Sequence, residues 1–600
     1  MSVLQLRLAA VLAVVLLAGA PWVLDPFTVT LLNYIGVYSL AALGLVLLTG
    51  VGGIVSFGQA AFVGIAAYAT AWFTTVQGGS AWIGLLLALA CCGVVAAGVG
   101  ALTLRLRGHF LSLSTVAWGL AIYFLFGTID GLGNFSGIAD IPPISAAGFD
   151  FTSGTRMFYL VWAVTVGALL LTGNLLRSRA GRAMRVLRGG NILTESLGIN
   201  AFGTRLGLFV LAALLAALSG WLYAHMGRFV SPTSFNVETG IEYLMMAMIG
   251  GSGHLLGAVL GAAIITLLKN AVQDYLPLIA PGSAGQLETV AFSVLFILFL
   301  QQARGGLVPF ALRWLPPLRR EPPRPAPALP RRSQPAPGQA LLQVAGLERH
   351  FGGLVAVQDL SFTVEAGEML GLIGPNGAGK STVFNMITGA LAPTRGRIVF
   401  AGQQIGGAPQ RRIARAGIGR TFQHVKLRPR MTLLDNVLLG THTRTGGGIA
   451  AGALTLNRGQ EAQARHEAMR QLQRVGLAAR PFELAGNLPL GNQRLLEIAR
   501  ALAADPALLV LDEPAAGLRR QEKQALASLL RTLRQEGVTI LLVEHDMDFL
   551  MTLVDRVVVM QFGAKLCEGA PAAVRADPRV QEAYLGSVAP VPVPAMSVGA

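Results

Sequence analysis

Nine long apolar stretches dominate the first 300 residues: Leu8–Leu24, Leu31–Leu48, Phe57–Thr75, Trp82–Leu104, Phe110–Phe126, Phe158–Leu176, Leu206–Met226, Ile241–Leu268 and Val290–Leu300. Most approach the roughly 20 residues that a helix needs to cross the hydrocarbon core of a bilayer. They have almost no polar face, which buried helices of a large soluble protein would need. The first stretch imitates a signal-peptide core, but spans follow at once, so an uncleaved first helix is expected.

Arginines orient these spans. Arg105 and Arg107 share one loop, Arg177, Arg179, Arg182, Arg185, Arg188 and Arg205 lie in or beside another, and Arg304, Arg313, Arg319 and Arg320 follow the last stretch. The excess of basic residues on cytoplasmic loops places all three groups inside the cell. Even numbers of stretches precede the first group and separate it from the second, but three separate the second from the third. Ile241–Leu268 is therefore either two short spans, giving ten, or contains a re-entrant arm; it carries Gly250-Gly251-Ser252-Gly253-His254. Thr49-Gly50-Val51-Gly52-Gly53, followed by Ser56-Phe57-Gly58-Gln59, is a second interruption. Broken helices at membrane depth occur where backbone is buried or lines a cavity. Both breaks point either to a translocation pathway or to close helix packing through small residues. Ser56, Gln59 and the Gly250–Gly253 backbone are the substrate-contact candidates.

Composition changes along the chain. Residues 1–340 hold 19 Lys and Arg with 10 Asp and Glu, leaving 28 and 21 for residues 341–600, so charge density more than doubles. The boundary is the Pro- and Arg-rich stretch Trp314–Gln339, read as an extended, semi-rigid spacer. The expected organisation is a membrane domain over 1–305, a linker over 306–340, a soluble domain over 341–590 and a tail over 591–600. The net charge of +16 reflects loops and linker as much as the soluble part, which argues against nucleic acid as a partner and for contact with membrane lipid. Three cysteines, two of them adjacent inside an apolar run, cannot build a disulfide framework.

The soluble part carries phosphate chemistry. Gly374-Pro375-Asn376-Gly377-Ala378-Gly379-Lys380-Ser381 fits G-x-x-x-x-G-K-[ST], between the apolar strand Glu368–Ile373 and a helix beginning near Thr382. Glycines let backbone N–H groups approach phosphates, and the helix N-terminus adds positive potential. Gly374, Asn376, Gly377, Gly379, Lys380, Ser381 and Thr382 are thus expected to bind ATP, with Lys380 on the β- and γ-phosphates and the Ser381 hydroxyl on Mg²⁺. Leu508–Leu511 ends in Asp512, expected to hold Mg²⁺, and Glu513, expected to polarise the attacking water. Ile540–Val543 ends at Glu544-His545, and His545 is expected near the γ-phosphate.

The order of these motifs, with Gln423 in Arg420-Thr421-Phe422-Gln423-His424 and a signature region between, resembles ABC-transporter ATPases over 341–586. The resemblance implies that Gln423 senses Mg²⁺ and touches the membrane domain, that Phe351 stacks on adenine, and that Gly491 belongs to the signature. That signature reads Leu488-Pro489-Leu490-Gly491-Asn492-Gln493-Arg494, where Pro489 replaces the serine of the common L-S-G-G-Q. The proline and the following Leu496-Glu497-Ile498-Ala499-Arg500-Ala501-Leu502 resemble the G-type ATPase subunit of branched-chain amino acid importers. Asn492 and Arg519-Arg520 depart from that subunit's pattern. Ser56–Tyr68, Arg179–Arg185 leading to Glu195–Asn200, and the late Gly250–Gly261 pattern resemble the M-type permease subunit of the same importers. The 177–200 segment, the longest intracellular loop, then corresponds to the surface on which the ATPase acts.

The fold class expected is a polytopic α-helical membrane domain of about nine or ten spans followed by an α/β P-loop ATPase. Its expected function is ATP-driven uptake of branched-chain amino acids across the inner membrane, with the ATPase in the cytoplasm. Uptake of urea or short amides, and an exporter half-transporter, are the alternatives. One P-loop and one signature imply either a second copy of this chain or a second permease and ATPase subunit, and the family implies an extracytoplasmic solute-binding protein.

Overall fold

The computed structural model describes residues 3–279 except 107 and 147, then 290, 293, 294, 297, 298, 301, 305–312, 314 and 321–585. Most of the Val290–Leu300 stretch, Arg107, Arg304, Arg313, Arg319, Arg320 and the tail over 591–600 lie outside the described residues. Two units emerge: one of residues 1–188, 201–321 and 447–456, the other of 189–200, 322–446 and 457–600.

The first unit is helical. Six helices among the described residues are long and apolar enough to cross a membrane: Pro26–Gly52, Ala81–Thr103, His109–Thr128, Gly154–Arg177, Ala201–Gly227 and Leu255–Tyr275. Helices Val3–Val23, Gln59–Thr75 and Val237–Gly251 accompany them. The Ile241–Leu268 stretch is therefore two helices, broken at Ser252–His254, where Gly251 and Gly253 take φ of 114° and 101°. Those angles favour glycine, which lacks the Cβ that makes left-handed backbone costly. The earlier interruption is also present: Val46–Gly52 is a π-helical segment, and regular helix resumes only at Gln59.

The two breaks meet. A Cβ on Gly50 would collide with the backbone nitrogen of Gly253, and one on Gly261 with the Met246 carbonyl. Small residues thus allow backbones to approach closely. Trp221, Tyr68, Phe158 and Phe209 are fully buried within this unit. Interior polar groups bond across helices: Trp221 Nε1 donates to the Ala81 carbonyl at 2.9 Å, and Ser219 Oγ to that of Val37 at 2.8 Å.

The second unit contains a six-stranded sheet in the order Ala564–Gly569, Arg556–Gln561, Met369–Ile373, Thr539–Val543, Leu508–Asp512, Ile418–Arg420. Its strands are parallel except the first, which pairs antiparallel at the edge. The central strands are buried throughout, which explains their unbroken apolar sequences. Strands Leu354–Glu365, Ala340–Phe351, Arg395–Phe400 and Gln403–Gln404 form an antiparallel sheet that shares an apolar core with one face of the first. Helices Leu433–Gly440, Arg458–Arg474 and Leu490–Leu502 enclose a separate apolar cluster and form a helical lobe. Helix Asn191–Ser196, from the sequence segment expected to couple ATPase to permease, packs within this unit against helix Gln410–Ala416.

Candidate functional site

Register brings the nucleotide motifs together. Val543 pairs with Asp512 on one side and Leu372 on the other, so the three strands end level. The P-loop, Asp512-Glu513 and Glu544-His545 emerge side by side at the carboxyl edge, where open parallel sheets hold ligands.

The P-loop has the backbone its sequence requires. Gly374, Gly377 and Gly379 take φ of 154°, 83° and 93°. A Cβ at Gly374 would strike the Met560 carbonyl and one at Gly379 that of Ala356, so glycine is needed for space as well as for conformation. Asn376 and Gly377 are exposed at the loop's crown. Helix Lys380–Ile387 follows, opening with Lys380, Ser381 and Thr382, whose backbone N–H groups form its first turn. Lys380 is buried; its Nζ donates to the carbonyls of Gly374 at 2.6 Å and Pro375 at 2.9 Å. Burial lowers its pKa, while Glu513 and Asp512 oppose that shift.

Glu513 stands at the centre of the acidic group. It adopts φ of 46°, unusual for a non-glycine residue and typical of strain retained at a working site. Its Oε1 lies 2.7 Å from His545 Nε2, and its Oε2 accepts from Gln423 Nε2 at 3.1 Å. Three residues far apart in sequence are thus joined through one carboxylate. Asp512 is 6% exposed, and its Oδ1 has no hydrogen-bond partner. Burial raises its pKa, with the Arg420 guanidinium opposing. A buried carboxylate oxygen without a donor, at the carboxyl edge of the sheet, suits a hard divalent cation.

Two other residues lie farther out. Phe351 ends its strand 45% exposed, with the Arg349 guanidinium 4.7 Å above its ring, so one face is available for stacking. Gly491 lies in the first turn of helix Leu490–Leu502, where a Cβ would collide with the Glu522 carboxylate. Arg519, one of the departures from the family pattern, is the N-cap of helix Arg520–Gln535, and its backbone N–H donates to that same Glu522 carboxylate at 2.8 Å.

Two sets of residues were seen in the sequence but given no role there. Glu544 accepts from Ala515 N at 2.6 Å, fixing the turn after Glu513, and burial raises its pKa to about 7. Arg494, Glu497 and Arg500 bolt the signature helix to the glutamine loop. Arg494 donates to the carbonyls of Phe422 at 2.8 Å and Gln423 at 2.6 Å. Glu497 accepts from Lys426 N at 3.1 Å, and Arg500 donates to the Lys426 carbonyl at 2.6 Å and to Glu497 at 3.0 Å. The signal was present: three charged residues at spacings of three and six place a stripe on one helix face.

In the first unit, Gln59 is engaged structurally, donating to the Ala212 carbonyl at 2.7 Å, whereas the buried Ser56 hydroxyl has no partner.

A membrane-embedded helical unit joined to this P-loop α/β unit defines an ATP-binding cassette transporter. Family models agree: residues 27–300 match the permease component of the branched-chain amino acid transport system, 357–516 the ABC transporter family, and 564–590 the branched-chain amino acid ATP-binding cassette transporter family. The chain is 44% identical over 251 residues to the high-affinity branched-chain amino acid transport ATP-binding protein LivG of Escherichia coli, covering 41% of this chain and 98% of that protein. It is 44% identical over 249 residues to BraF, of the same description, from Pseudomonas aeruginosa, covering 41% and 98%. A crystal structure of a nucleotide-free ATP-binding cassette from an ABC transporter is 30% identical, covering 41% of this chain and all of that one, with a TM-score of 0.37. The chain belongs to the branched-chain amino acid ABC transporter family, as a multi-pass membrane protein with permease and ATPase in one polypeptide.

Proposed function

We propose that this chain is the fused permease–ATPase component of an importer for branched-chain amino acids. The observation that carries the reading is the convergence of Lys380, Asp512, Glu513, His545 and Gln423 at one sheet edge, in a chain whose first half belongs to the permease family.

Lys380 and the N–H groups of the P-loop hold the ATP phosphates. Two of the three Lys380 N–H groups bond loop carbonyls, which leaves the third to donate to a phosphate oxygen. Phe351 stacks on adenine. Asp512, Ser381 and Gln423 would hold Mg²⁺, which when bound neutralises phosphate charge. Glu513, oriented by His545 and Gln423, accepts the proton of the attacking water. Gly491 marks the surface offered to a second cassette, because one P-loop and one signature make half of a composite pair. Partner subunits complete the transporter: a second permease and ATPase, or a second copy, with a solute-binding protein delivering substrate.

The test is uptake of radiolabelled leucine and of urea into vesicles holding the chain with its genomic neighbours, with and without ATP. ATP-dependent leucine uptake supports the proposal. Urea uptake alone makes the chain a urea or short-amide importer, and no flux with any partner set overturns the import reading.

A further inference from the structure

The Pro-rich segment before the ATPase, which reads as a spacer, is docked. Leu329 is 3% exposed and lies in the helical lobe's apolar cluster with Leu433, Val437 and Leu472. From the same lobe, Arg444 donates to the carbonyls of Leu329 at 3.3 Å and Pro330 at 3.0 Å. Three residues on, the segment grips the sheet-containing lobe. Arg332 N donates to Asp505 Oδ2 at 2.5 Å, and its guanidinium to the carbonyls of Ala416 at 2.6 Å and Arg415 at 3.0 Å. Gly417, with φ of 119°, makes room: a Cβ there would press on that guanidinium.

We propose that the ATP-binding unit carries a receptor notch for a Leu-Pro-Arg-Arg segment, filled in cis by Leu329–Arg332, and that this strap across the two lobes slows ATP turnover. The helical lobe carries Gly491 and the other lobe carries Lys380. Any rearrangement of one against the other must release Leu329 or Arg332, so the docked strap favours the arrangement it binds. Prolines at 322, 323, 325, 327 and 330 restrict the free segment and lower the entropy lost on docking.

The experiment uses the full-length protein in detergent. Leu329→Asp releases the helical-lobe contact, and Arg332→Gln releases the other while leaving Leu329 in place. Trypsin cleavage after Arg331 is expected to be at least tenfold faster in Leu329→Asp than in wild type. Saturated ATP turnover is expected to rise at least threefold in both variants, with the KM for ATP within twofold. A synthetic peptide of sequence PAPALPRRSQ, added to Leu329→Asp, is expected to slow turnover again. Equal cleavage and turnover in wild type and both variants overturn the proposal. Should Leu329→Asp fail to fold, unchanged turnover in Arg332→Gln overturns it alone.

Discussion

Replacing Arg500 by leucine tests whether the signature helix holds the glutamine loop. Both partners of the Arg500–Glu497 pair are buried, with side chains 2% and 1% exposed. The substitution keeps an apolar stem, removes the donors to Lys426 O and Glu497, and leaves a carboxylate in an apolar setting. Breaking a buried pair from one side costs about 3–5 kcal/mol. Glu497 keeps the Lys426 N–H bond and the nearby Arg494 charge, which places the loss near the lower end, about 3 kcal/mol. For a unit of this size that lowers the thermal midpoint by about 6–12 °C. Burial already draws the Glu497 pKa upward and Arg500 is the chief opposing charge, so the substitution is expected to push that pKa further up. The assay is thermal unfolding of the purified chain with ATP turnover measured in parallel. Turnover is expected to fall as well, because Gln423 loses part of its support. Glu497→Leu/Arg500→Leu is expected to recover much of the lost stability, since no unpaired charge remains. An Arg500→Leu midpoint equal to wild type, or a double variant as costly as the sum of the singles, refutes the bolt.

Other outcomes follow from the same geometry. Lys380→Ala is expected to reduce ATP hydrolysis by about 10²-fold or more, since a preorganised phosphate donor is lost; wild-type turnover would remove Lys380 from the site. Glu544 titrates near 7 in the folded chain against an ordinary 4.5, so the folded state holds the extra proton between those values and stability falls as pH rises through that window. The loss amounts to about 3 kcal/mol, and Glu544→Gln is expected to flatten that part of a midpoint-against-pH profile. Gly50→Ala places a methyl against Gly253 backbone and is expected to cost about 1–3 kcal/mol, read as a lower midpoint and lower yield of monodisperse protein.

What could be read from sequence was what is contiguous in it. Gly374–Ser381 declares its chemistry because one short loop must supply both the turn and the phosphate donors. Asp512, Glu513 and His545 were legible as strand ends, but their union through Glu513 depends on register between strands separated by some 30 residues or more. Arg494, Glu497 and Arg500 were not legible as a bolt, because charges on an amphipathic helix look like a solvated face until a loop from 70 residues away covers them. Leu329 was hidden in a composition that signals extended chain: the segment is extended, yet one apolar residue and one arginine suffice to dock it. The breaks at Gly50 and Gly253 were visible as glycine clusters, whereas their mutual contact is a long-range packing fact.

The central claim is that the site around Glu513 powers uptake. It is tested most directly by ATP-dependent leucine accumulation in vesicles carrying either the wild-type chain or Glu513→Gln with the same partners. The expected result is accumulation by the wild type, and none by the variant although it still binds ATP. Equal accumulation by both would contradict the account.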